Sequence, residues 1–236
     1  MRTALISLVS LVLTSLAAAP AAAKSPVLVE LFTAQGCSSC GRANQAAAEL
    51  AERDDVLALT YSVDYWDYLG WKDTFAKPAF VERQRAYAKA FALRDVPTPQ
   101  VVVAGKVQAS GAKAETVERL IDTAHLPPAP DMEFVGTGRV AIGSGAAPRG
   151  GAEVWLVRFD PRKQEIAVKR GDNRGQTIVH RNVVREIVKI GAWTGRPKMY
   201  RLPVLAKDDD LATAIIVQGA KGGRVLGVLP PGGKSR

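Results

Sequence analysis

Cys37 and Cys40 are the only cysteines in the 236-residue chain. They stand two residues apart in "QGCSSCGRANQAAAEL", where an apolar run gives way to helix-forming residues. Three chemistries use such a pair: thiol–disulfide exchange, a passive staple, or a metal clip. Exchange needs one sulfur favoured as thiolate and a second within reach to resolve a mixed disulfide. A strand-to-helix junction supplies both. Cys37 at the helix start would lie beside unpaired backbone N–H groups and the positive end of the helix dipole, and Cys40, one turn on, would share its face. Ser38 and Ser39 offer hydrogen bonds without formal charge. A staple gains little, because so short a loop removes about 2 kcal/mol of chain entropy against about 4.7 for a 100-residue loop. Zinc needs further ligands, and His125 and His180 fall in no ligand spacing with the pair. Copper(I), which accepts two thiolates alone, stays open. The residues favour exchange, for which no cofactor is required.

The elements that must position this pair follow from the pattern around it. "VLVELFT" (27–33) and "VLALTYSV" (56–63) read as strands flanking the alanine-rich helix. "VDYWDYLGWKDTFAKP" is an aromatic loop, and "AFVERQRAYAKAFAL" (79–93) spaces its apolar residues three and four apart, as a helix does. "PQVVVAG" and "KVQAS" form two strands joined by a tight turn at Ala104-Gly105, and "AKAETVERLIDTAH" (112–125) closes as a helix stopped by "LPPAP". The order β-α-β-α-β-β-α predicts a central sheet covered on both faces, its last two strands antiparallel, which is the thioredoxin topology. After the Pro-rich link the chain changes to short β-rich pieces separated by Gly, Pro, Asp and Asn, which predicts an antiparallel sandwich or barrel. The expected organisation is a thioredoxin-like α/β domain over 24–126, a smaller β-rich, sandwich-like domain over 131–230, and a disordered tail over 231–236.

Compartment and partners are read from the start of the chain and from its charge. Arg2, the apolar run from Ala4 to Ala19 and the alanines at 21–23 predict a cleaved signal peptide over 1–23. Export to the periplasm or beyond would place the cysteines where disulfides persist. Residues 24–130 carry 12 Lys and Arg against 13 Asp and Glu, whereas residues 131–236 carry 19 against 10. The basic second half could meet an anionic membrane surface or cell-wall polymer. Its positive residues are scattered, with no aromatic interleaving, so nucleic acid is not an expected partner.

A second element supports exchange. "RDVPTPQVVVAGK" carries Pro97 and Pro99 just before the third strand. Thioredoxin-like proteins place a cis-proline there, facing the dithiol. Val96-Pro97-Thr98 resembles the thioredoxin I-P-T and Pro99 through Gly105 the glutaredoxin T-x-P-Q-strand-Gly segment, so the spelling leaves both prolines open and favours Pro99 as the cis residue, with Thr98 in contact with a substrate chain. Two turn prolines before an edge strand would give the same spelling. "VDYWDYLGWKD" leaves the end of the second strand, where open α/β sheets gather their sites. Tyr65, Trp66 and Trp71 are candidates to line a substrate groove, Asp64 or Asp67 to accept a proton from Cys40. Glu30, a strand carboxylate, is a lesser candidate whose burial would raise its pKa. In "VKRGDNRGQTIVHRNVVRE", Arg170, Asp172, Asn173, His180 and Asn182 could form a polar site. A sharp turn at Gly171-Asp172-Asn173 explains the stretch equally well.

Together "VELFTAQGCSSC", "VDYWDYLGWKDTFAKPAFVERQRAY", "TPQVVVAG", "VKRGDN", "HRNVVREI" and "RVLGVLP" resemble an exported bacterial family of unknown function with a thioredoxin-like fold. The resemblance spans nearly the whole mature chain and implies a thioredoxin-like domain fused to a β-rich one, with no established reaction. This chain has Gly41-Arg42 where that family continues with prolines. The expected function is a periplasmic or secreted thiol–disulfide oxidoreductase acting on protein thiols or disulfides. The alternatives are an envelope binding module with an inert disulfide, or a copper(I)-handling protein.

Overall fold

A computed structural model describes residues 25–204, 210–232 and 234–235. The expected signal peptide lies outside the described residues. The first half runs β1 (Val27–Thr33), α1 (Cys40–Leu50), β2 (Val56–Ser62), α2 (Pro78–Ala90), β3 (Gln100–Val103), β4 (Val107–Ser110) and α3 (Ala114–Asp122), in the order expected. β1 and β2 are parallel, β3 is antiparallel to β1, and β4 is antiparallel to β3. Period-two alternation sorts the side chains of β1. Leu28 and Phe32 enter the core that holds Phe80 and Tyr87 of α2, while Val29 and Leu31 join Ala43, Ala47 and Val117 from α1 and α3. Pro78 opens α2, where its missing N–H removes no helical bond. Ala104 and Gly105 both take positive φ, 52° and 62°, in the turn between β3 and β4, the conformation whose twist suits a hairpin.

The second half contains β5 (Met132–Val135), β6 (Arg139–Ile142), β7 (Ala152–Asp160), β8 (Gln164–Ala167), β9 (Thr177–His180), β10 (Val183–Trp193), β11 (Lys198–Arg201), β12 (Ala212–Gly219), β13 (Val225–Leu229) and β14 (Lys234–Ser235). Here the structure departs from the expected separate sandwich. Four of these strands extend the first sheet, giving eight in the order β13-β12-β7-β10-β2-β1-β3-β4. The seam is one parallel bridge, Val183 to Thr60. Asn182 reinforces it: its carbonyl accepts from the Thr60 N–H (3.0 Å) and its amide donates to the Ala58 carbonyl (2.8 Å).

The protein is therefore mixed α/β, built on one large sheet with added hairpins. A sheet of four strands, β11-β6-β5-β14, contributes Met132, Val140, Ile142 and Tyr200 to a second core. β12 faces both cores: Ala214 and Ile216 pack into the α2 core, Ile215 and Val217 into the second. A strand buried on both faces reads as a continuous apolar run, and "TAIIV" is spelled that way. The tail expected to be disordered includes Lys234 and Ser235, which pair with β5. Among the described residues no helix is long and apolar enough to cross a membrane.

Candidate active site

Cys37 and Cys40 are joined by a disulfide, with their Cα atoms 5.4 Å apart. β1 ends at Thr33, a turn follows, and α1 begins at Cys40 with Ser39 as its N-cap. Cys37 thus lies one turn before the helix, and its carbonyl accepts from the Cys40 N–H at 3.0 Å. No acidic side chain occupies the first turn of α1, and Ser39 makes no side-chain cap bond. The Ser39 hydroxyl instead stands 3.6 Å from the Cys37 sulfur. The positive end of the helix dipole is uncompensated there, a setting that favours a thiolate once the bond opens.

The turn carrying Cys37 is held from several sides. The Gln35 N–H donates to Asp73 Oδ2 (2.7 Å), and Gln35 Oε1 accepts from Trp71 Nε1 (2.9 Å). Its Nε2 donates to Thr74 Oγ1 at 2.9 Å. Asp73 also accepts from the Phe75 N–H (2.9 Å), and burial raises its pKa against these two backbone bonds. From the far half of the chain, Asn173 Nδ2 donates to the carbonyls of both Gln35 (2.8 Å) and Cys37 (2.9 Å). Two carbonyl oxygens require the NH₂ side of the amide, which fixes its orientation. Cys37 and Cys40 are both buried, 1% and 0% exposed.

The other predicted residues fall around this turn in different roles. The Thr98–Pro99 peptide is cis. Trp66 Nε1 donates to Thr98 Oγ1 (2.6 Å), and a Cβ built on Gly36 would lie 3.6 Å from the Trp66 carbonyl. Trp66 therefore bridges the Pro99 loop and the Cys37 turn, with the exposed Tyr68 stacked on it. Trp71 is spent on Gln35, and Tyr65 bonds Gln84 and the Val96 carbonyl. Asp67 Oδ1 accepts the Asp73 N–H at 3.0 Å, a turn-building bond; Asp64 contributes its carbonyl to the Asp67 N–H.

Glu30 is not a lone carboxylate. Arg83 of α2 meets it through two bonds, Nε to Oε1 at 2.6 Å and Nη2 to Oε2 at 3.0 Å. The Tyr87 hydroxyl also bonds Glu30, and Gln218 of β12 bonds both Tyr87 and Arg83. This buried network ties the two halves together. Sequence reasoning missed Arg83, although the sign was present: it stands three residues after Phe80 and four before Tyr87, inside the apolar stripe of α2.

Arg170, Asp172, Asn173, His180 and Asn182 do not form one polar site. Asn173 reaches the cysteine turn and Asn182 holds the sheet seam, while Arg170 and Asp172 are exposed. His180 is buried against Phe75 with neither ring nitrogen bonded. Among the described residues no three His, Cys, Asp or Glu side chains gather as metal ligands. A cleft of about 440 Å³ lies between α2 and β7, floored by Trp155 and Arg83, and no residue of the cysteine turn lines it.

Fold and site define a mixed α/β protein with a two-cysteine disulfide seated where a central strand passes into a helix. The chain belongs to the family described as protein of unknown function (DUF1223), which matches residues 28–218. It is similar to a protein of known crystal structure from Agrobacterium tumefaciens: 30% identity, a TM-score of 0.73, covering 92% of this chain and 98% of that one. HBP35 of Porphyromonas gingivalis is similar in fold alone, at 12% identity and a TM-score of 0.55, covering 87% and 74%. No curated protein matches the chain.

Proposed function

We propose that the protein is a thioredoxin-like thiol–disulfide oxidoreductase of the cell envelope, acting on cysteine-containing protein partners. From the disulfide form, a partner thiolate attacks the Cys37 sulfur, the Cys37–Cys40 bond breaks, and Cys40 leaves as a thiolate that takes up a proton. A second partner thiolate then attacks the partner sulfur of this mixed disulfide, releasing Cys37. The partner gains a disulfide and loses two electrons, and the protein gains two thiols. The reverse sequence reduces a partner disulfide, with Cys37 attacking and Cys40 resolving. Thr98 and Pro99, joined to the Cys37 turn through Trp66, are the surface against which the partner chain would lie. The basic second half and the leader spelled by residues 1–23 support an envelope setting.

The observation that carries this reading is that the turn is already fixed without its disulfide. Asp73, Trp71, Thr74 and Asn173 hold Gln35 and Cys37 by hydrogen bonds, so a staple across four residues adds little. The burial of Cys37 favours a rival, an inert disulfide in a binding module. The two separate on incubating the oxidised protein with a reduced peptide bearing two cysteines and counting free thiols by mass. Exchange predicts that the protein gains two thiols as the peptide loses two, and that Cys37→Ser abolishes the transfer; an inert disulfide leaves both counts unchanged.

A further inference from the structure

The loop between β8 and β9 is built as a unit. Val168 and Gly175 bond one another's ends of it: the Val168 N–H donates to the Gln176 carbonyl (2.9 Å) and the Gly175 N–H to the Val168 carbonyl (2.8 Å). The Arg174 and Gln176 N–H groups donate to Gly171 and Asn173, at 3.1 and 3.0 Å. Its tip leans on the short helix at 67–69, where a Cβ on Gly171 would stand 3.3 Å from the Leu69 carbonyl. Asn173 is 1% exposed although Asp172 and Arg174 on either side face solvent. Among the described residues, the loop's only hydrogen bonds to the cysteine turn are the two from Asn173 Nδ2. Val168 anchors the base of the loop by burial, and beyond it the loop is bonded within itself and hydrogen-bonded to the cysteine turn by one side chain, so its tip can lift without unfolding.

We propose that the 168–176 loop is a displaceable cap that occupies the place of an incoming substrate chain, and that Asn173 is the residue that sets access to Cys37. One atom, Asn173 Nδ2, meets the carbonyls on either side of Gly36, so the two acceptors converge on a single donor position, which a side-chain amide or one backbone N–H of a partner chain can fill. The substrate class is therefore a protein segment that brings a donor to this position as the cap leaves. A thiol without such a donor does not make that exchange of hydrogen bonds and meets a closed site. This substrate assignment rests on the exchange reading above; the cap itself does not.

The test measures reduction of the Cys37–Cys40 disulfide by tris(carboxyethyl)phosphine, which gives two electrons to the sulfurs and leaves as the phosphine oxide. Asn173→Ala and Asn173→Asp remove the two donors, Asn173→Ser keeps one, and Asp172→Ala is the neighbouring control. The Ala and Asp variants should be reduced about tenfold faster or more, on the scale of two lost hydrogen bonds, with Ser between them and the control at the wild-type rate. Should Asn173→Ala not fold, the Asp and Ser variants carry the comparison. Equal rates in folded Asn173 variants overturn the proposal, as does equal acceleration in Asp172→Ala. Faster reduction without transfer to a peptide keeps the cap and removes the oxidoreductase reading. Transfer that is insensitive to Asn173 does the opposite.

Discussion

His180 should make the fold acid-sensitive in a definite pH window. It is wholly buried on β9, edge-on to Phe75 at 5.3 Å between ring centroids, with both nitrogens unbonded. Burial first, and then the positive charge of Arg185, lowers its pKa from 6.5 to about 4. Arg185 is itself near Asp160, 3.8 Å away, which tempers but does not cancel its effect. In the native protein the imidazole stays neutral through this range, whereas the unfolded chain binds a proton as pH falls through about 6.5. The unfolded state then holds more protons, so stability falls with falling pH between the two values. The loss is about 2 kcal/mol by pH 5 and about 3 by pH 4. Urea unfolding at pH 7.5, 6.5, 5.5 and 5.0 measures it, with His180→Phe as the comparison. Carboxylates contribute alike to both proteins, so the difference between their pH slopes isolates the histidine. Parallel slopes would refute the reasoning. Because β9 carries the cap loop, the same acid shift should speed phosphine reduction of the wild-type disulfide relative to His180→Phe.

Three further outcomes follow from contacts described above. Glu30→Gln leaves the Arg83 guanidinium buried without its counter-charge and should cost about 3 to 5 kcal/mol in urea unfolding; a loss below about 1 would mean that Tyr87 and Gln218 suffice. Gly105→Ala places a Cβ 2.6 Å from the Gly223 carbonyl at a φ of +62°. It should lower stability by more than about 2 kcal/mol, and in one cooperative transition, since the β3–β4 turn is bonded to β13 through Ala104 and Val225. Separate melting of two units would contradict the shared sheet. Trp66→Phe removes the donor to Thr98 and should cost about 1 kcal/mol of stability while lowering kcat/KM for peptide exchange; an unchanged kcat/KM would remove Thr98 from substrate contact.

The local half of this architecture is written in the sequence in plain form. Apolar alternation in "VLVELFT", the stripe in "AFVERQRAYAKAFAL" and the Ala104-Gly105 turn each depend on neighbours within a few residues, and their elements stand where the pattern places them. What could not be read depends on distant pairing. β10 joins β2 through a single bridge, Val183 to Thr60, and nothing in either stretch names the other. Asn173 looked like a turn residue because it is one; its second role is addressed to backbone carbonyls at 35 and 37, which every residue possesses. Glu30 and Arg83 were each visible as charges in apolar runs, and weighing them together would have paired them.

The most direct test of the account is to reduce the protein and mix it with a disulfide-bonded peptide in wild-type, Cys37→Ser and Cys40→Ser forms. Exchange through Cys37 predicts a mixed disulfide trapped in Cys40→Ser at Cys37, none in Cys37→Ser, and release of two peptide thiols by the wild type. No trapped species in Cys40→Ser, with the wild-type thiols left reduced, would contradict it.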